Sequence, residues 1–474
     1  MCGFSAIQKI MKKKIAFAIL FTTLFTTTAN AELIMNYYEE NVTTYSSGYR
    51  LDGKSDPKYP LYINDEKIQT TESGYFSKYV SLEDGENTFV IDNTTDKKTT
   101  NITKLSADDL EKVTYEDPFE KVDLIGKVNR KNPTVRTRPD EGNDDLLIPY
   151  TENTLLKIIG KNSEYYMTKN FRYIYIDAVD IVNDADYGEN KATDVSFDND
   201  NVIHISMNRA TEYTADLSGD SLEIELFDTV CDKRKINLDK KIFRNVSTKS
   251  FGTRTIYRFN FNEKNKFIGY FISFDENGMN IKLNERSKKK NGSLEGIDIV
   301  LDAGHGGDEP GTPGIGSIPE KTVTLNITTY LKDYLQEKGA NIIMTRSDDT
   351  FLDLSERNEI TTKNMPDAFI SIHCNSLALT TDALKYSGIM GLYTFDSPGN
   401  FAESLNESID FIACYKDNLA VTRNSVCPSI LIETGFMSNP EEYEYLIKEE
   451  NQKAIAEKIA SATEKYFSQL YNEK

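Results

Sequence analysis

Three short apolar runs in the last third of the chain, each ending on a polar residue, restrict the fold more than any other feature. Ile297 to Leu301 leads into Asp302-Ala-Gly-His305-Gly-Gly307, and Ala368 to Ile372 leads into His373-Cys-Asn375. Ile430 to Ile432 leads into Glu433-Thr-Gly-Phe436-Met-Ser-Asn439. Runs of this length and β-branched content, separated by helical periodicities, predict buried strands of an α/β sheet. Ligands of open α/β sheets sit outside the carboxyl ends of the strands, so residues far apart in sequence converge there. His305 and His373 are two of only three histidines in 474 residues.

Two neutral imidazoles and a carboxylate suit zinc, and a catalytic zinc needs three protein ligands and one open position. Glu320 is the candidate third ligand. It follows Pro319 and opens a segment, Lys321 to Gly339, in which Val323, Ile327, Leu331, Tyr334 and Leu335 recur at helical spacing. Gly339 is a natural stop. The glycines of Gly304-His-Gly-Gly307 are not followed by a Lys-Ser/Thr pair, so they predict a turn that presents His305 and not a phosphate loop.

On these residues the region of roughly 295–470 resembles the zinc-dependent N-acetylmuramoyl-L-alanine amidases of the amidase 3 family. The resemblance extends to Pro310-Gly311, Thr345-Arg346, Asp349, Leu354 with Arg357, and Pro428 through Asn439 with Glu442. It implies that His305, Glu320 and His373 hold Zn2+ and that Glu433 is the catalytic glutamate. It also implies the substrate, the amide between N-acetylmuramic acid and the L-alanine of a peptidoglycan stem peptide. In such a site zinc polarises the carbonyl and lowers the pKa of water to about 7, while the glutamate relays the proton to the departing nitrogen. Cys374 departs from the family pattern, which has a small residue there, and Thr361-Thr362 replaces a common Ala-Asn.

Asn375 is open between bonding a ligand or substrate and forming a turn. Arg346 and Arg357 are open between clamping substrate and pairing with Asp348, Asp349, Asp353 and Glu356, and the neighbouring acids favour pairing. Two rival functions also stand: a zinc peptidase cutting within the stem peptide, and a non-catalytic wall-binding surface protein. Some family members carry a site-blocking helix in an insertion after the second histidine. The stretch from Asn375 to Gly388 has no room for one. Control is therefore expected from localisation by the N-terminal modules, with an isolated catalytic domain fully active.

The fold class expected overall is multidomain, with N-terminal all-β modules before an α/β catalytic domain whose mostly parallel sheet is flanked by helices. Lys12 to Lys14, the apolar Ile15 to Phe25 and Ala29-Asn-Ala31 form an export signal over residues 1–31. It implies an exported protein of the periplasm or the cell wall and extracellular space, with no stable membrane insertion after cleavage. Residues 32–110 resemble an immunoglobulin-like β-sandwich, with strands at Leu61, Gly74 to Leu82 and Thr88 to Ile91. Residues 118–185 resemble bacterial SH3-like domains. Residues 190–286 form a β-rich domain that is a candidate for envelope targeting, and His204 falls on the exposed face of one of its strands. A polar linker, 287–294, precedes the catalytic domain, 295–474. The helices of that domain are expected at Lys321–Lys338, about Phe401–Ile412 and about Asn451–Leu470, the last with Ile455, Ile459, Ala462, Tyr466 and Leu470 as its buried stripe.

A net charge of −20 argues against nucleic acid, which needs basic patches. Peptidoglycan is the expected partner, with an activator protein as a further candidate. Cys231, Cys374, Cys414 and Cys427 show no metal spacing, and a Cys414–Cys427 disulfide and free thiols both remain open.

Overall fold

The computed structural model describes residues 33–105, 118–139, 146–183, 187–232, 235–288 and 293–472. The expected export signal and residues 289–292 of the expected linker lie outside them. Before residue 287 the described chain is almost entirely β. In residues 33–105 a three-stranded sheet (Ile34–Asn36, Gly48–Lys54, Tyr75–Ser81) faces a five-stranded one. Leu51, Leu61, Ile63, Phe76, Ile91 and Ile102 fill the space between. Period-two alternation puts Leu61 and Ile63 inward and leaves Tyr62 partly exposed.

The described strands between Glu120 and Val182 form a seven-stranded sheet, and those between Asn190 and Glu285 form a six-stranded and a four-stranded sheet. These two regions bury one continuous cluster, in which Val128, Val135 and Leu156 join Tyr213, Leu222 and Ile281. Polar contacts cross the same boundary. Tyr150, Thr168 and Asn170 all donate to the Glu212 carboxylate.

The C-terminal domain is a six-stranded sheet with helices. In chain order its elements are β1 (Asp298–Ala303), α1 (Glu320–Glu337), β2 (Asn341–Met344), α2 (Leu354–Asn364), β3 (Ala368–Asn375) and β4 (Met390–Tyr393). Then come α3 (Phe401–Ile409), β5 (Ala413–Lys416), β6 (Ser429–Phe436), α4 (Pro440–Leu446) and α5 (Glu449–Asn472). The sheet order is β2-β1-β3-β6-β4-β5. The first four are parallel, β4 runs antiparallel to β6, and β5 is parallel to β4.

The three apolar runs are continuous because both sheet faces are covered. Ile299 and Leu301 meet α1 and α5 on one face, while Val300, Phe369 and Leu431 meet Val421 and Val426 on the other. Val323, Ile327, Leu331 and Leu335 form the buried stripe of α1, and Ile455, Ile459, Ala462, Tyr466 and Leu470 that of α5.

Two helices have no counterpart among the sequence expectations. In α2 the buried positions are Arg357, Asn358 and Thr361, so no apolar stripe marks it. Its signal is the reciprocal cap of Asp353 and Glu356. Helix α4 starts on the Asn439 cap with Pro440 in its first turn. Helix α3 stops three residues short of the expected Ile412, at a left-handed Asp410.

The 190–286 region docks at the amino ends of the catalytic strands. Asn284 donates to the carbonyls of Pro366 and Val426, both at 2.8 Å, just ahead of β3 and β6.

Candidate metal centre

Strand β1 ends at Ala303, and the chain turns at once. His305 adopts a left-handed backbone (φ 61°) and Gly306 one open only to glycine (φ 134°). Gly304 is needed for a different reason: a β-carbon there would lie 2.3 Å from the His373 ring. With only a hydrogen between them, the His305 and His373 rings approach to 4.8 Å between centroids.

Two buried arginines hold this turn. Arg346 donates to the carbonyls of Ala303 and Gly304, each at 2.8 Å. Arg357 donates to the carbonyls of Ala303 and His305, each at 2.8 Å, and pairs with the Asp302 carboxylate at 2.6 Å. Thr345 and Ser371 complete the shell of Asp302, each at 2.7 Å. Burial would raise the Asp302 pKa, but the Arg357 charge and these donors hold it below the usual carboxylate range.

The expected pairing with neighbouring acids is therefore replaced. Arg346 meets the carbonyl of Asp348 and not its carboxylate, and Asp349 pairs with Lys321 at 2.6 Å. Both arginines turn inward, where backbone carbonyls of the turn accept their N–H groups.

The turn, the N-terminus of α1 and the end of β3 bring three predicted ligands together. His305 Nε2 lies 3.1 Å from Glu320 Oε2, and His373 Nδ1 lies 3.0 Å from Glu320 Oε1. The candidate ligand atoms all lie within 4.8 Å of one another. Backbone N–H groups aim the carboxylate: Thr312 donates to Oε2 at 2.9 Å and Cys374 to Oε1 at 3.0 Å.

Burial alone would raise the Glu320 pKa, yet its contacts with His305 and His373 carry it well below the ordinary range. For His373, burial pulls the pKa down and Glu320 more than restores it, so the net shift is upward. The carboxylate thus draws positive charge into a buried pocket. Two imidazole nitrogens and one carboxylate oxygen are the donor types that zinc takes, and three protein ligands leave a position open. The residues fit the ion.

Glu433 stands beside this group on β6, in register with His373 on β3. Among the described residues its Oε2 is buried without a hydrogen-bond partner. Burial pushes its pKa up to about 7, with His373 and His305 opposing the shift and Glu320 adding to it. Nearby Glu442 differs, because its two oxygens take the amides of Gly388 and Phe436, each at 2.7 Å. A buried carboxylate with an idle oxygen is the pattern expected of a group that works on something absent from the protein itself.

Asn375 ends β3 just after a register shift against β6, and its side chain donates to Met390 Sδ at 3.4 Å. The Cys374 side chain is buried with Sγ 3.2 Å from Thr434 Oγ1, and all four described cysteines are free thiols. His204 lies in a separate sheet, on the strand Val202–Met207, where its ring meets Asp198 and Asn280. Sequence reasoning missed the amides of Thr312 and Cys374, since a backbone donor leaves no mark in a sequence. It also left Asp302 without a role, although that residue lies inside the first motif.

The Amidase_3 family, described as N-acetylmuramoyl-L-alanine amidase, matches residues 299–465. Over 205 residues the chain is 33% identical to the germination-specific N-acetylmuramoyl-L-alanine amidase of Bacillus subtilis, covering 37% of this chain and 82% of that protein. YqiI of the same organism, itself uncharacterised, is 32% identical over 186 residues, covering 37% of this chain and 87% of that one. The probable cell wall amidase LytH of Staphylococcus epidermidis is 32% identical over 185 residues, and the chain spans 60% of its length.

Proposed function

This chain belongs to the N-acetylmuramoyl-L-alanine amidase family, and from that premise we propose that it hydrolyses the amide between N-acetylmuramic acid and the stem-peptide L-alanine of peptidoglycan. His305, Glu320 and His373 hold zinc in this reading, and Glu433 moves the proton. Zinc bound there supplies a Lewis acid that polarises the carbonyl and lowers the pKa of water to about 7.

The observation that carries the reading is the idle, buried oxygen of Glu433 opposite His373. Glu433, with its idle oxygen beside the triad, accepts a proton from the attacking water and returns it to the departing nitrogen. The C–N bond breaks, the acid and the free amine leave, and Glu433 ends ionised as it began. His305 and His373 must be neutral to ligate. Arg346 and Arg357 act at one remove, fixing the turn on which His305 sits. Export to the periplasm or wall, implied by residues 1–31, belongs to the same proposal.

Product analysis tests it. The chain from residue 32 to 474, loaded with zinc, is incubated with isolated peptidoglycan beside its Glu433→Ala variant. Stem peptides with a free L-alanine amino group, absent from the variant, are the expected result. Fragments cut inside the peptide would make the protein a peptidase. A zinc-loaded chain that releases nothing, with or without added envelope extract, would favour the wall-binding reading.

A further inference from the structure

The first β body, residues 33–105, packs against the carboxyl ends of the catalytic strands, where the triad lies. We propose that it is a fixed wall of the active site, with Arg50, Tyr75 and Tyr79 as positioning residues for the two loops that flank the triad. The kinetic part of this inference rests on the amidase reading. The structural part does not.

One flanking loop is residues 376–388, which leaves β3 directly after His373 and Asn375. Four consecutive carbonyls of this loop face the first β body. The Arg50 amide donates to the Leu379 carbonyl at 2.7 Å, which is a full backbone bond between the two domains. The Arg50 guanidinium reaches the carbonyls of Ala378 and Thr381 at 3.4 and 3.5 Å, and the Tyr79 hydroxyl donates to Thr380 at 3.3 Å. Arg50 is itself locked by Asp52 at 2.6 Å, and both are buried. A buried guanidinium that is paired on one side and aimed at carbonyls on the other is a rigid fork.

The other flanking loop, residues 309–319, connects His305 to Glu320. Within it the Thr312 amide donates to Glu320 Oε2 at 2.9 Å. The first β body reaches this loop through two rings. The Tyr75 ring sits edge-on to Tyr443 at 4.9 Å within the catalytic core, and the Tyr443 hydroxyl accepts from the Ile318 amide at 3.0 Å. Ser73 closes the seam by donating to Glu444 at 2.8 Å.

This proposal departs from the expectation that the N-terminal modules localise a catalytic domain that is fully active when isolated. The 190–286 region meets that expectation better, since its Asn284 contacts lie at the opposite, amino ends of the strands. The first β body instead holds both lips of the site. Loops this close to a ligand set transmit displacement, and a misplacement of about 1 Å costs up to roughly a hundredfold in rate.

The test uses the full chain with Y79F, Y75L, Y75F and the double variant S73A/E444Q. Amide exchange is followed over residues 311–318 and 377–386 without substrate, and kcat and KM are measured separately, with bound zinc and thermal unfolding as controls. Expected are exchange over 377–386 faster by about tenfold or more in Y79F and the double variant, with the central strands unchanged. In Y75L exchange over 311–318 is expected to rise and kcat to fall by about tenfold with bound zinc unchanged, while Y75F keeps the ring contact and the parent rate. Exchange and kcat within about twofold of the parent in every folded variant would overturn the proposal. If the double variant or Y75L fails to fold, Y79F, which loses a single hydroxyl, decides. A parent chain without amidase activity would defeat the functional reading and still leave the exchange comparison to be scored.

Discussion

Arg357 and Asp302 form an ion pair at 2.6 Å, buried under the turn that carries His305. Every oxygen of that aspartate has a donor, and the same guanidinium also holds the His305 carbonyl. Removing one partner strands a charge that cannot reach water. Arg357→Ala is expected to cost about 3–5 kcal/mol in denaturant unfolding and to weaken zinc binding through the loosened turn. A variant that unfolds like the parent would show that water reaches Asp302.

Gly304 is the position where the ligand set tolerates no side chain. A methyl group there would fall 2.3 Å from the His373 ring, which Glu320 holds through Nδ1 at 3.0 Å. Gly304→Ala is expected to lower zinc affinity by about tenfold or more, read by competition with a chromogenic chelator. Parent-like affinity would mean that the ring has room to move.

Glu433→Gln separates chemistry from metal binding. The amide cannot take a proton, so turnover is expected to drop by about 10²–10⁴-fold while zinc content stays the same. The variant also relieves a buried carboxylate of its charge, so its melting temperature is expected at or above that of the parent. Loss of zinc together with activity would place Glu433 among the ligands.

The seam between the first β body and α4 is expected to be acid-sensitive. Burial would raise the Glu444 pKa, but the donors Thr71, Ser73 and Lys448 lower it to about 2. A depressed carboxylate contributes its stabilisation above its unfolded pKa, near 4.5, and loses it as pH falls toward 2. Exchange over residues 71–75 should therefore rise across that window, and Glu444→Gln should flatten the dependence. An unchanged pH profile in the variant would assign the acid sensitivity elsewhere.

Much of the catalytic domain was legible in the sequence, because its signals are local. Three apolar runs marked β1, β3 and β6, and helical spacing marked α1, α3 and α5, since burial of a strand or a helix face forces a period onto the residues. Helix α2 escaped because its buried positions are polar and its cap carries no apolar period, and α4 because seven residues are too few to show one, although Tyr443 and Leu446 reach the core. His305, His373 and Glu433 stood out because each follows a buried apolar run, and Glu320 because it opens α1 at the end of the loop that begins beside His305.

What the sequence determined by itself, then, was the donor set and the sheet that gathers it. Tertiary structure alone decided what surrounds the set. That Arg346 serves carbonyls and not its neighbouring aspartates, that Thr312 and Cys374 aim Glu320, and that Arg50 reaches across more than three hundred residues to a loop beside His373 all depend on backbone groups. Every residue carries the same amide and carbonyl, so only their placement in space can tell which of them meet.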